Sequence, residues 1–235
     1  MTALLPMLEK LIDFLFLGGP IVLLLIALSV VTVALVLYKI WQFHLLKLGR
    51  HRDVHIAVQR WFIGDRKGAG AILGQAINPT AISVRHAMQG VSRHGPNNKA
   101  VSDDVERICG ELVSDMRGYL RALEMIAQTA PLIGLFGTVL GMIEAFQSLQ
   151  QAGASVDPSQ LAGGIWVALL TTAVGLAVAI PAMAILGWFD ARIDREIAAM
   201  ESLVTRIQTA DATAAIEGNM NTAIPVEPTG PAYAH

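Results

Sequence analysis

Two uncharged stretches contain the residues with the most chemical potential. In TAPLIGLFGTVLGMIEAF, Gly134, Gly137, Gly141 and Glu144 fall at offsets of three, four and three, which puts them on one face of a helix. Thr138 follows Gly137 and lies about 100° around that helix, so it addresses a different neighbour or a cavity. In LAGGIWVALLTTAVGLAVAIPAMAILGWF, a second stripe of small residues runs through Gly164, Ala168, Thr171 or Thr172, Gly175 and Ala179. A hydroxyl both donates and accepts, so threonines in an apolar segment can hydrate or steady a carboxylate or a proton without adding a fixed charge.

Each feature also has a purely structural reading. Glycines on one face let a neighbouring helix backbone approach closely. A threonine inside a helix can satisfy its hydroxyl by bonding the carbonyl one turn earlier. Glu144 lies near the end of its apolar stretch, where hydration at an interface or a helix contact accounts for it. Pro131 and Pro181 each free a carbonyl, which is tolerated when neighbouring helices or water supply donors.

The elements that position these residues follow from the hydropathy pattern. From Phe14 to Leu37 no charge occurs for 24 residues, enough at ~1.5 Å per residue to cross a ~30 Å hydrocarbon layer. The pattern predicts an all-α integral membrane protein with three transmembrane helices, the second and third extended into the cytoplasm. The spans are 14–38, 125–150 and 161–189. Residues 1–13 read as an amphipathic helix lying in the interface, without the positive start of a cleaved signal peptide. Residues 39–124 carry charges of both signs and helical periodicity, which predicts a water-facing helical segment. Its last part, from Ala100 to Leu123, continues into the second span with no breaker between them, so one long helix is expected there. A short loop at 151–160 makes the second and third spans an antiparallel hairpin. Residues 190–212 prolong the third helix, and the Pro-rich tail 213–235 is expected to be disordered.

Lys and Arg mark the orientation. Lys39, Lys47, Arg50, Arg52, Arg107, Arg117, Arg121, Arg192 and Arg195 all fall on one side of the spans, which by the positive-inside rule is the cytoplasm. The N-terminus is then outside. The charged positions Arg107, Arg117, Arg121, Arg192, Asp194, Arg195 and Glu196 on the extensions of the second and third helices read either as contacts between subunits or as a solvated face.

Composition narrows the function. The 235 residues are 54% hydrophobic and 15% charged, with a formal net charge of -2, which leaves no basic surface for nucleic acid. The single cysteine, Cys109, forms no internal disulfide and reads as a packed thiol. No phosphate-binding glycine loop, nucleophile and base pair or metal-ligand spacing occurs, so neither an enzyme nor a cofactor or metal site is expected. His44, His51, His55, His86 and His94 are scattered and are assigned no ligand role.

The two stretches together are more specific than their parts. TAPLIGLFGTVLGMIEAF followed by GGIWVALLTTAVGLAVAIP resembles the proton-channel family of ExbB, TolQ and MotA, and the three-span order is most like ExbB and TolQ. The resemblance implies a homopentamer in the bacterial inner membrane whose second and third helices enclose an ExbD-like partner, itself a dimer of single-span chains. The partner supplies the titrating aspartate, and a TonB-like protein receives the work for outer-membrane uptake. It further implies that Thr138 and Thr172 line the proton pathway, with Thr171 beside them. Many ExbB and TolQ chains carry a glutamate where this sequence has Val167, so either the partner acid suffices or Glu144 substitutes. A TolQ-like role in the cell envelope and a passive scaffold remain alternatives.

Overall fold

The computed structural model describes residues 19–96, 98–152 and 158–209. The expected interfacial helix at 1–13, the loop residues 153–157 and the tail from 210 onward lie outside the described residues. The described residues form seven α-helices: α1 Gly19–Leu45, α2 Arg52–Phe62, α3 Arg66–Gly74, α4 Pro79–His94, α5 Lys99–Arg117, α6 Leu120–Ala152 and α7 Pro158–Gln208. Among the described residues there is no strand. Three of the helices, α1, α6 and α7, are long and apolar enough to cross a membrane. The chain is therefore an all-α, multi-pass membrane protein.

The helices divide between two compact units, one from Met1–Leu45 and Met116–Ile193, the other from Leu46–Asp115 and Asp194–His235. The first unit holds the apolar helices. A backbone in hydrocarbon must satisfy its own N–H and C=O groups, which favours uninterrupted helices. Leu23, Val30, Val33 and Leu37 of α1 stay exposed, as do Leu132, Leu135 and Phe136 of α6 and Trp166, Leu169 and Ile180 of α7. Only a narrow stripe faces inward, where Leu25, Ala130 and Ala179 make a small buried core flanked by Ile21, Ile133, Val174 and Val178. Close backbone approach takes the place of large side chains in this unit.

The second unit is built like a water-soluble helical domain. Val54, Ala57 and Val58 of α2, Ala69 and Leu73 of α3, Ala81, Val84, Ala87 and Met88 of α4, Val101 and Val105 of α5, and Leu203, Val204 and Ile207 of α7 form its core. Cys109 packs against that core. The helix starts are fixed locally. Asp65 caps α3 by accepting from Gly68 N at 2.8 Å, and Asn78 caps α4 by accepting from Thr80 N at 2.8 Å with Pro79 following it. Such caps are each worth about 1 kcal/mol.

One expectation is corrected. The helix entering the second span is not continuous. It stops at Arg117 and resumes at Leu120, with Tyr119 at φ +63°, a left-handed conformation that a side chain rarely adopts. Tyr119 is held there by an edge-on ring contact with Tyr38 of α1, centroids 5.4 Å apart. The third apolar helix does continue unbroken, for 51 residues through Pro181.

Candidate functional site

The hairpin of α6 and α7 is pinned by glycines whose missing side chains are filled by the opposite backbone. A Cβ on Gly134 would stand 2.8 Å from the carbonyl oxygen of Thr171, and one on Gly175 would stand 2.7 Å from that of Ala130. A Cβ on Gly141 would meet the methyl of Ala168 at 3.0 Å, and one on Gly164 the methyl of Ala145 at 2.6 Å. The five small positions read from the sequence as helix packing, Gly134, Gly137, Gly141, Gly164 and Gly175, therefore all line this seam. A Cβ on Gly137 would meet the side chain of Thr171 at 2.6 Å and Ile21 of α1 at 3.0 Å.

Into this seam the sequence places two adjacent threonines, and the structure separates them. Thr171 is buried, 3% exposed, and its Oγ1 lies 2.7 Å from the carbonyl of Ala168 on its own helix and 3.0 Å from that of Gly134 on α6. Its single hydroxyl proton is shared between these two acceptors. Thr172 is half-buried, and its Oγ1 is covered yet has no hydrogen-bond partner within the chain. Leaving a buried hydroxyl unmet costs about 1–3 kcal/mol, so such a group calls for an explanation. Thr138 is half-buried and donates to the carbonyl of Leu135 at 2.6 Å.

Glu144 stands apart from the threonines. It is exposed, and its backbone carbonyl accepts from Ser148 Oγ at 2.9 Å. Val167 is half-buried.

Two charged residues that sequence reasoning passed over are buried. Lys39, read as one of the charges that mark the cytoplasmic side, is 1% exposed. Its Nζ donates to Gln42 Oε1 and to the carbonyl of Met116, both at 2.8 Å, and lies 5.6 Å from the ring centre of Phe43. Glu196, read within a charged run, is also 1% exposed, so a solvated face is wrong for it. Thr80 Oγ1 donates to its carboxylate at 2.5 Å and Gly49 N at 2.9 Å, while His51 Nε2 lies 3.0 Å away.

A signal for both was present in the spacing. The buried positions Val22, Leu25, Thr32, Lys39 and Phe43 make one stripe of α1, and Phe189, Ile193, Glu196, Met200, Leu203 and Ile207 make one stripe of α7. A charge that falls on an apolar stripe is a buried charge in waiting.

Among the exposed groups, Asp104 accepts from Arg107 Nη2 at 2.9 Å and lies 3.1 Å from His86 Nε2. The Arg107 hydrogen bond, and after it the His86 contact, hold this carboxyl below the usual aspartate range.

Comparison with known proteins places this geometry. Residues 75–202, which include Thr138, Thr171 and Thr172, match the model of the MotA/TolQ/ExbB proton channel family. An ExbB homolog of Methanothermobacter thermautotrophicus is 36% identical over 151 residues, 63% of this chain and 52% of its own length. The biopolymer transport protein exbB1 of Vibrio cholerae is 44% identical over 82 residues, 35% of this chain and 36% of its own. Biopolymer transport protein ExbB of Neisseria gonorrhoeae is 48% identical over 64 residues, 27% of this chain and 29% of its own. The chain thus spans about half the length, or less, of these relatives. With its glycine-seamed hairpin and paired threonines inside the matched region, the chain belongs to the MotA/TolQ/ExbB proton channel family.

Proposed function

We propose that this chain is an ExbB-like subunit of a proton-driven motor in the bacterial inner membrane, and that it acts as a transducer rather than an enzyme. In this reading copies of the chain form a ring, a homopentamer, around an ExbD-like dimer of single-span helices. The N-terminus is periplasmic and the C-terminus cytoplasmic, following the one-sided distribution of Lys and Arg. The output is mechanical work on a TonB-like protein for uptake across the outer membrane. The relatives' description as biopolymer transport proteins supports this reading.

The observation that carries it is Thr172. A covered hydroxyl with no partner in its own chain has its capacity to donate and accept unspent. The residue is half-buried while Oγ1 is covered, and one staggered step about χ1 moves the hydroxyl to the place of the methyl or of the hydrogen. Thr172 can thereby offer its hydroxyl to a carboxylate on a partner helix. Thr138, half-buried with its proton given to Leu135, keeps lone pairs to accept a proton in transit. With Val167 in place of an acid, the titrating group is the partner's. Each charge moved through the membrane potential releases about 2.3 kcal/mol per 100 mV, which is the energy available per protonation cycle.

The test is energised uptake in cells that depend on the complex. Thr138→Ala and Thr172→Ala should each impair uptake at unchanged membrane abundance. Wild-type uptake in both variants overturns the assignment.

A further inference from the structure

The single hydroxyl of Thr171 reaches two carbonyls that matter to its neighbours. In an α-helix the N–H of each residue bonds the carbonyl four residues back, and a threonine hydroxyl commonly turns to that same carbonyl. For Thr172 that carbonyl is Ala168, and for Thr138 it is Gly134. These are the two acceptors of Thr171 Oγ1, at 2.7 Å and 3.0 Å.

A carbonyl oxygen has two lone pairs. At Ala168 one takes the backbone N–H of Thr172, and the other faces the hydroxyl of Thr171. At Gly134 one takes the N–H of Thr138, and the other again faces Thr171. The consequences are visible at both neighbours. Thr172 Oγ1 has no partner, and Thr138 Oγ1 bonds Leu135, three residues back, instead of Gly134.

We propose that Thr171 is a positioning residue for the proton path: by occupying the backbone acceptor of Thr172 it keeps that hydroxyl from being absorbed into its own helix, and by facing the carbonyl of Gly134 it leaves the Thr138 hydroxyl turned to Leu135. This rests on the reading of Thr138 and Thr172 as the path. An unmet hydroxyl in the covered rotamer of Thr172 makes that rotamer poor, so rotation toward a partner group costs less. The same bond ties α7 to α6 with a direction, which a seam of glycines by itself lacks. Thr171 does this without touching the proton.

The test compares proton flux in vesicles containing the complex purified from its native membrane. Thr171→Val keeps the shape and removes the hydroxyl, so the flux should fall by about five- to tenfold, the scale of the one neutral hydrogen bond that Thr172 then gains within its own helix. Thr171→Ser restores the hydroxyl and should stay within about twofold of wild type on the same scale. Because Thr171 acts through its neighbour, Thr171→Val combined with Thr172→Val should conduct no less than Thr172→Val alone.

Wild-type flux in Thr172→Val overturns the path reading and this inference with it. Loss in Thr172→Val with wild-type flux in Thr171→Val overturns this inference only. Additive loss in the double variant, or failure of Thr171→Ser to restore flux, reduces Thr171 to packing and also overturns it. Should Thr171→Val fail to assemble, Thr171→Ala removes the hydroxyl without added bulk, and failure of both to assemble counts against the proposal.

Discussion

Thr80 and Glu196, 116 residues apart, are joined by a 2.5 Å hydrogen bond from the threonine hydroxyl to the buried carboxylate. The same carboxylate accepts from the backbone N–H of Gly49, and His51 lies on it. One anion thus holds the turn after α1, the start of α4 and the aqueous part of α7. Buried charge is tolerated when hydrogen bonds compensate it, and here two N–H or O–H donors and an imidazole reach the carboxylate.

Glu196→Gln tests this arrangement directly. The amide keeps an acceptor oxygen for Gly49 N–H, but its NH2 then faces Thr80 Oγ1, which must turn from donor to acceptor, and every bond to the carboxylate loses its charge assistance. The expected loss is about 2–3 kcal/mol of stability, seen as a lowered midpoint in denaturation of the purified protein. Glu196→Ala should lose at least as much, since it leaves every donor unmet. An unchanged midpoint in both variants would show that the carboxylate is dispensable.

The glycine seam makes a second prediction, with its own control. Gly134→Ala drives a methyl to 2.8 Å from the backbone carbonyl of Thr171, which cannot rotate away. Overpacking of this kind costs about 1–3 kcal/mol. Gly163→Ala and Gly187→Ala have nothing within 4 Å of the added methyl. Thermal stability in detergent should fall in the first variant and hold or rise slightly in the other two, because alanine favours the helix. Equal effects at all three positions would falsify the close-approach account.

A third prediction concerns pH. Asp104 is exposed, and its depressed carboxyl is held mainly by Arg107 and then by His86. A carboxylate with a lowered folded pKa contributes its stabilisation above the unfolded value and loses it as pH falls through the folded one. An NMR titration of Asp104 should show a midpoint below that of ordinary aspartate. Arg107→Gln should move it upward, by more than His86→Gln does. The accompanying change in stability should be small and should shrink with salt, as expected for an exposed pair.

The spans were legible because crossing a bilayer sets a length that α1, α6 and α7 all meet. The face carrying Gly134, Gly137 and Gly141 was legible too, because helical spacing alone defines it. Which of Thr171 and Thr172 turns to α6 was not, since that depends on the rotational phase of two helices and on backbone carbonyls that carry no sequence label. The interruption at Tyr119 was hidden for a similar reason. A left-handed tyrosine has no signature, and Gly118 beside it is no stronger than glycines that helices tolerate, such as Gly110 within α5. Lys39 and Glu196 were missed because their charge outweighed their position on an apolar stripe.

The interruption at Tyr119 also affects how the molecule loosens. Helical order spreads by neighbouring turns supporting one another, and a residue in left-handed geometry stops that spread. The carbonyl of Met116, in the last turn of α5, is met by the ammonium of Lys39 and not left to its own helix alone. Fraying that begins in the amphipathic α5 therefore has a terminus. The ladder of α6, with Thr138 on it, is insulated from local melting in the segment that precedes it, as a firebreak separates two stands of trees.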